Sequence, residues 1–135
     1  MSNKEEKRYK WRREDYRENT KGLLMVNTGD GKGKTTAAIG LLVRAAGRGL
    51  RCCLIQFMKS RKDRYGEHES LEQLGIEVLT MGDGFTWDTK DPSQDIETSE
   101  TTWAACVEKM RSGEYDLLVF DELVYVLDYK FLGVR

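Results

Sequence analysis

Leu23-Leu24-Met25-Val26-Asn27-Thr28-Gly29-Asp30-Gly31-Lys32-Gly33-Lys34-Thr35-Thr36 is the stretch that decides the fold of this chain. Four consecutive apolar residues run into a glycine-rich loop, which reads as a short buried strand followed by a tight turn. Past the loop the period changes. Ile39, Leu42, Val43 and Ala46 recur at i, i+3, i+4 and i+7, the spacing of one buried helix face over residues 35–48. Gly47 and Gly49 are placed to end that helix.

Outward from this unit the same alternation continues. Residues 52–58, Cys-Cys-Leu-Ile-Gln-Phe-Met, read as a second strand. A polar loop then leads to a helix over 67–74, closed by Gly75, and a short strand over 76–79. Residues 81–95 form a long irregular stretch with the only proline, and loops of that length in a domain of this size are usually functional. A helix over 96–111, a strand at Leu117-Leu118-Val119-Phe120 and a helix beginning at Leu123 complete the series. Strands that are continuous apolar runs, alternating with helices, predict an α/β fold: a parallel sheet with helices on both faces.

A chain of 135 residues is one domain at most. Residues 1–21 read as a basic N-terminal arm or helix, with eight Lys/Arg against five Asp/Glu, and residues 22–135 as the domain proper. An arm of that charge is more often a solvated face than a nucleic-acid surface, so nucleic acid is not an expected partner. The three cysteines, Cys52, Cys53 and Cys106, have neither disulfide-framework nor zinc spacing and read as buried thiols. No apolar run approaches the ~20 residues of a membrane-spanning helix. The N-terminus has no apolar signal core, so a cytoplasmic location without membrane contact is the default expectation. The lone His68, between Glu67 and Glu69, reads as a surface residue without a catalytic role.

Gly33-Lys34-Thr35 sits after a predicted strand and before a predicted helix, the context that a phosphate-binding P-loop requires. Glycines let backbone N–H groups turn inward around phosphate oxygens. The helix N-terminus adds unpaired donors and the positive end of its dipole. Lys34 supplies a cation for terminal phosphates, and Thr35 a hydroxyl for Mg²⁺. The expected ligand is a nucleoside triphosphate, most simply Mg·ATP. The loop departs from the general pattern at Thr28, which stands where the first glycine falls; Gly29 and Gly31 follow one and three places later. Downstream, Leu117-Leu118-Val119-Phe120-Asp121-Glu122 fits a parallel strand carrying a carboxylate at its C-terminal end, where ligands bind in open α/β sheets. Asp121 there can hold Mg²⁺ directly or through water, and Glu122 is either a metal ligand or a general base for water.

Together these residues resemble the P-loop type of ATP:cob(I)alamin (corrinoid) adenosyltransferases. The resemblance rests on the variant loop from Thr28 to Thr36, on Arg44, on Gln56-Phe57-Met58-Lys59, on Gly66-Glu67, on Gly84-Phe85-Thr86-Trp87-Asp88 and on Asp121-Glu122-Leu123 with Tyr125. It runs from about residue 21 to the end. It implies a P-loop NTPase (RecA-like) architecture whose last strands, two of them next to the strand feeding the loop, lie beyond this chain. It also implies transfer of the 5′-deoxyadenosyl group of ATP to the Co(I) of a corrinoid, with tripolyphosphate leaving. On that resemblance Lys32, Lys34 and the backbone of Gly29, Asp30, Gly31, Gly33, Thr35 and Thr36 hold the triphosphate. Thr35 and Glu122 bind Mg²⁺, and Arg44 lies by the adenine. Phe85 and Trp87 press on the corrinoid and displace its lower ligand. An electron-donating reductase and a homodimer, with the N-terminal arm over the neighbour's site, are also implied.

The residues alone leave plainer readings open. Phe85 and Trp87 alternate, as rings pinning a long loop to a core would. Arg44 fits a helix-surface charge. A kinase or NTPase would use the same loop and acids to release ADP and phosphate instead of tripolyphosphate. A chain of this length would also serve as a carrier or sensor of ATP or corrinoid.

Overall fold

The computed structural model describes residues 21–57, 65–81 and 92–133. Along these the order is α1 (Lys34–Gly47), β1 (Cys52–Gln56), α2 (Gly66–Gln73), β2 (Glu77–Thr80), α3 (Pro92–Ser112), β3 (Leu117–Asp121) and α4 (Leu123–Asp128). The three strands form one parallel sheet in the order β2-β1-β3. In register, Cys53 faces Glu77 and Gln56 faces Thr80 on one side; on the other, Cys52 faces Leu117 and Gln56 faces Asp121.

β1 is the hub because it is buried on both faces, and its run of five buried residues follows from that. Side chains alternate across a strand, which sorts the core into two halves. Cys53, Ile55 and Phe57 pack with Leu118 and Phe120 beneath Trp103 and Cys106 of α3 and Val126 of α4. Trp103 meets Phe120 edge-on, with ring centroids 6.0 Å apart. On the opposite face Cys52 and Leu54 pack with Leu117 and Val119 beneath Ile39, Leu42 and Ala46 of α1 and Leu71 of α2. Leu54 and Ile55 are fully buried, and burial of side chains of this size contributes on the order of 2 kcal/mol each. The expected α/β fold, a parallel sheet with helices on both faces, is what the chain forms.

Four local expectations are corrected. Residues 23–26 form no strand; they are irregular, with Leu24 93% exposed and Met25 the least exposed at 57%. An apolar run becomes a strand only when it pairs with a neighbouring strand, and this segment joins neither open edge of the described sheet. Val43 is exposed, because the sheet-facing stripe of α1 runs through Ala38, Ile39, Leu42, Ala45 and Ala46. One residue further along a helix is about 100° around it, which turns Val43 away from that stripe. The helix expected from residue 96 starts at Pro92, which suits a first turn because its missing N–H has no partner to lose there. His68 is buried, for the reason given with the site below.

Residues 1–20, 58–64, 82–91 and 134–135 lie outside the described residues, so the N-terminal arm, Phe85 and Trp87 do too. Cys52, Cys53 and Cys106 are free and buried, as expected. Burial pushes the Cys52 thiol up to about 11 and those of Cys53 and Cys106 to about 12, so they behave as small hydrophobes, not nucleophiles. Among the described residues no helix is long and apolar enough to cross a membrane.

One charged cluster ties α3 to the edge strand β2. Lys109 donates to Glu77 at 2.9 Å and to the Tyr115 hydroxyl at 3.0 Å, while that hydroxyl donates to Glu77. The Tyr115 and Lys109 hydrogen bonds hold the Glu77 carboxyl below its ordinary 4.5. Burial alone would lower the Lys109 ammonium, but its bonds to Tyr115 and Glu77 outweigh that and raise it above 10.5. A depressed carboxyl contributes stability above its unfolded value, and that contribution is lost as pH falls through the folded value. A raised ammonium contributes below its unfolded value, and that is lost as pH rises through the folded one. Both contributions are therefore present between about pH 5 and 10. Glu77→Gln is expected to cost roughly 0.5 kcal/mol at neutral pH, kept small by the partial exposure of Glu77 and by screening. The penalty should shrink toward zero as pH falls below 4; urea melts of both proteins across pH 3–7 check this. A penalty that grows on acidification would contradict the linkage.

Candidate functional site

The glycine loop leads into α1 and is exposed throughout residues 27–33. Gly29 has φ 125° and Gly33 has φ 105°, both in the left-handed region. A Cβ at either position would meet nothing within 4 Å, so backbone conformation and not crowding calls for glycine there. Among the described residues the only non-glycine positions with positive φ are Glu122 and Lys130. Thr28 therefore stands in the first-glycine position without backbone strain, and Gly29 carries the turn in its place. Gly33 is the N-cap of α1 and provides no side-chain cap, so the first-turn N–H groups have no capping oxygen from it. The Lys34 ammonium donates to the Gly29 carbonyl at 2.6 Å and to that of Gly31 at 2.8 Å, which holds the charge over the loop. Asp30, Lys32 and Thr36 are exposed around it.

Thr35, the next residue of α1, reaches the end of the sheet. Its hydroxyl donates to Asp121 Oδ1 at 3.0 Å, across 86 positions of sequence. The same carboxylate accepts from Gln56 Nε2 at 3.1 Å through Oδ2. Gln56 and Asp121 are register partners at the C-terminal ends of β1 and β3, with side chains on the α1/α2 face. Behind Gln56 lies His68 of α2, whose Nε2 is 2.5 Å from Gln56 Oε1. The Tyr65 backbone N–H donates to His68 Nδ1 at 3.3 Å. Gln56 is fully buried and His68 is 3% exposed.

The surface reading of His68 rested on its acidic neighbours, and helical geometry overrides them. Glu67 and Glu69 lie on other sides of α2, while the third residue of its first turn points at the sheet. A signal for this was present at Gln56, a polar residue in the continuous apolar run Cys52-Cys53-Leu54-Ile55-Gln56-Phe57. A polar side chain in a strand buried on both faces needs a partner from a covering element. No pattern identified that partner in advance, because Tyr-x-x-His does not match the Ser/Thr-x-x-Glu/Gln capping signature.

Asp121 is buried, and Glu122 beside it adopts φ 61°, ψ 23°, a left-handed conformation that a side chain disfavours. Thr35 and Asp121 thus bring one hydroxyl and one carboxylate together beside the loop. Among the described residues no group of three or more His, Cys, Asp or Glu side chains converges as a metal cage. Hard oxygen donors such as the Thr35 hydroxyl and the Asp121 carboxylate are of the kind that Mg²⁺ takes, with water and other oxygens completing its shell. Arg44 is exposed in the last turn of α1, about 15 Å along the helix from Lys34 by its rise per residue. The structure thus joins the loop, Thr35 and Asp121 in one place and leaves Arg44 at the other end of the same helix.

A parallel sheet, a glycine loop entering a helix, a lysine held over the loop carbonyls and a threonine facing an acid at the end of β3 are consistent with the P-loop class of α/β fold. Within that class the family can be stated. A family model described as "ATP:corrinoid adenosyltransferase BtuR/CobO/CobP" matches residues 20–135, and the chain belongs to that family. It is 37% identical over 117 residues to the corrinoid adenosyltransferase of Sinorhizobium sp, covering 84% of this chain and 54% of that protein. It is 36% identical over 115 residues to those of Escherichia coli strain K12 and Salmonella typhimurium, covering 85% of this chain and 58% of each. The chain spans somewhat over half the length of the curated relatives it matches.

The left-handed backbone at Glu122 reverses the usual order of substitutions. Glu122→Ala and Glu122→Gly both remove the carboxylate, but only glycine relieves the φ. The glycine variant is expected to be more stable than the alanine variant by about 1 kcal/mol. Denaturant melts of the two proteins check this, and alanine equal to or better than glycine would refute the backbone reading.

Proposed function

We propose that the protein transfers the 5′-deoxyadenosyl group of Mg·ATP to the Co(I) of a corrinoid, releasing tripolyphosphate. The observation that carries the reading is the arrangement at the loop mouth, namely Lys34 over the loop carbonyls and Thr35 against Asp121. Membership of the corrinoid adenosyltransferase family supports the reaction type.

In this reading the uncapped first turn of α1, Lys32, Lys34 and the loop backbone hold the triphosphate. Thr35, Glu122 and Asp121 hold Mg²⁺, which neutralises phosphate charge and makes tripolyphosphate a better leaving group. Co(I) supplies an electron pair to the ribose C5′; the cobalt–carbon bond forms as the C5′–O bond breaks, and the departing tripolyphosphate takes the bonding pair. The protein's task is to aim carbon, not phosphorus, at the nucleophile, which is orientation more than proton transfer. Arg44, one helix length from the loop, takes the adenine end. Phe85 and Trp87, outside the described residues, crowd the lower axial face of the corrinoid. Loss of that ligand makes Co(II) easier to reduce by one electron, drawn from a reductase. A homodimer, in which the N-terminal arm covers the neighbour's site, completes the reading.

Lys34→Ala is expected to weaken ATP binding about 10- to 100-fold, since a charge-assisted phosphate contact is lost while the loop remains. Calorimetry decides it, and unchanged affinity would defeat the phosphate-loop assignment. Identification of the phosphate product separates the reaction types, with tripolyphosphate expected and ADP plus phosphate pointing to an NTPase.

Trp87→Ala is expected to leave ATP affinity nearly unchanged and to lower adenosylation sharply when Co(II) corrinoid is supplied. With chemically prepared Co(I), which lacks axial ligands already, the loss should be much smaller. Equal losses with both cobalt states, with a lowered melting temperature, would assign Trp87 to packing instead.

A further inference from the structure

The hydrogen bonds behind Asp121 have a direction, and that direction is set far from the loop. The Tyr65 N–H can only donate, so His68 Nδ1, 3.3 Å away, must present its lone pair. The neutral imidazole then carries its proton on Nε2, where it donates to Gln56 Oε1. With Oε1 so engaged, the Gln56 amide turns its N–H₂ toward Asp121 Oδ2 at 3.1 Å. Thr35 approaches the other oxygen of the same carboxylate at 3.0 Å. Every donor in the series points toward Asp121. The opposite rotation of the Gln56 amide would set Oε1 against the carboxylate and N–H₂ against the imidazole N–H, two repulsions in a place where Gln56 is fully buried.

We infer that His68 is a positioning residue: by its fixed tautomer it orients the Gln56 amide, and through it the Asp121 carboxylate that receives Thr35 at the Mg·triphosphate site. The inference rests on the proposed function for its ligand but not for its geometry. His68 meets Gln56 and the Tyr65 backbone, and its influence on Asp121 runs through Gln56. Groups that orient a metal-binding carboxylate commonly matter about 10- to 100-fold in metal affinity.

Two substitutions separate this role from a helix cap. His68 occupies the third position of α2, where Gln and Glu both accept the N-cap amide. His68→Gln keeps that acceptor and also offers an N–H₂ donor to Gln56. His68→Glu keeps the acceptor, offers no donor, and favours the reversed Gln56 amide. The whole chain is titrated with ATP in Mg²⁺ and with ATP in a chelator. His68→Gln should bind Mg·ATP within about 3-fold of the wild type, and His68→Glu about 10-fold or more weaker, with the chelated ATP affinity little changed. Long-range ¹⁵N–¹H spectra of the wild type should show the His68 proton on Nε2, and the Gln56 side-chain amide signals should move further in His68→Glu than in His68→Gln. An Nδ1–H tautomer, or Gln56 signals indifferent to both substitutions, would overturn the inference. Equal Mg·ATP affinity in all three proteins would do the same. A wild type that binds no Mg·ATP would sink the proposed function instead, and the spectra would still decide whether His68 sets the Gln56 amide. Should His68→Glu fail to fold, the wild-type tautomer and the Gln substitution carry the test.

Discussion

The carboxylate of Asp121 is the point on which this structure turns. It ends β3, it is buried, and it receives Thr35 from α1 and Gln56 from β1. One oxygen pair thereby joins the loop-bearing helix, the hub strand and the edge strand at the C-terminal end of the sheet. A buried carboxylate is costly without donors, so the donors and the acid define each other's positions. Parallel pairing makes this possible, because register alone sets Gln56 beside Asp121. Apolar packing of α1 through Ala38 and Leu42 then brings Thr35 within reach.

Around that point the loop supplies what the sheet cannot. Positive φ at Gly29 and Gly33 bends the chain back over itself, and Lys34 is drawn across the bend by two loop carbonyls. The uncommon Thr28 needs no special conformation, since the left-handed residue is its successor. Strain lies at Glu122 instead, immediately after Asp121, where a non-glycine residue holds the left-handed region. Backbone strain at the edge of a ligand site is a familiar means of aiming a side chain, and it fits the metal-binding role proposed for Glu122.

The same architecture leaves one apolar segment unserved. Leu23, Leu24, Met25 and Val26 have the composition of a buried strand, yet they are exposed and irregular. Hydrophobic residues favour burial, but a strand is a cooperative object that exists only with a neighbour to pair with. In the described sheet this segment pairs with neither edge strand, β2 or β3. The chain spans somewhat over half the length of the curated relatives it matches.

The sequence by itself determined the class of fold, the parallel arrangement and the place of the loop. Each of these follows from local patterns: apolar runs of strand length, helical periodicity, and glycines before Lys34 and Thr35. It also marked Asp121, because an acid ending an apolar strand falls at the ligand-binding edge of a parallel sheet. Tertiary structure decided the rest. Which face of α1 is buried depended on how the helix sits on the sheet, and this moved Val43 outward and Ala38 inward. The partnership of His68, Gln56, Asp121 and Thr35 spans three elements and the loop-bearing helix's first turn, so no window of sequence contains it. Residues 23–26 make the converse case. Their composition predicts a strand, but strand formation depends on pairing with another segment, and pairing is a property of the fold and not of the four residues themselves.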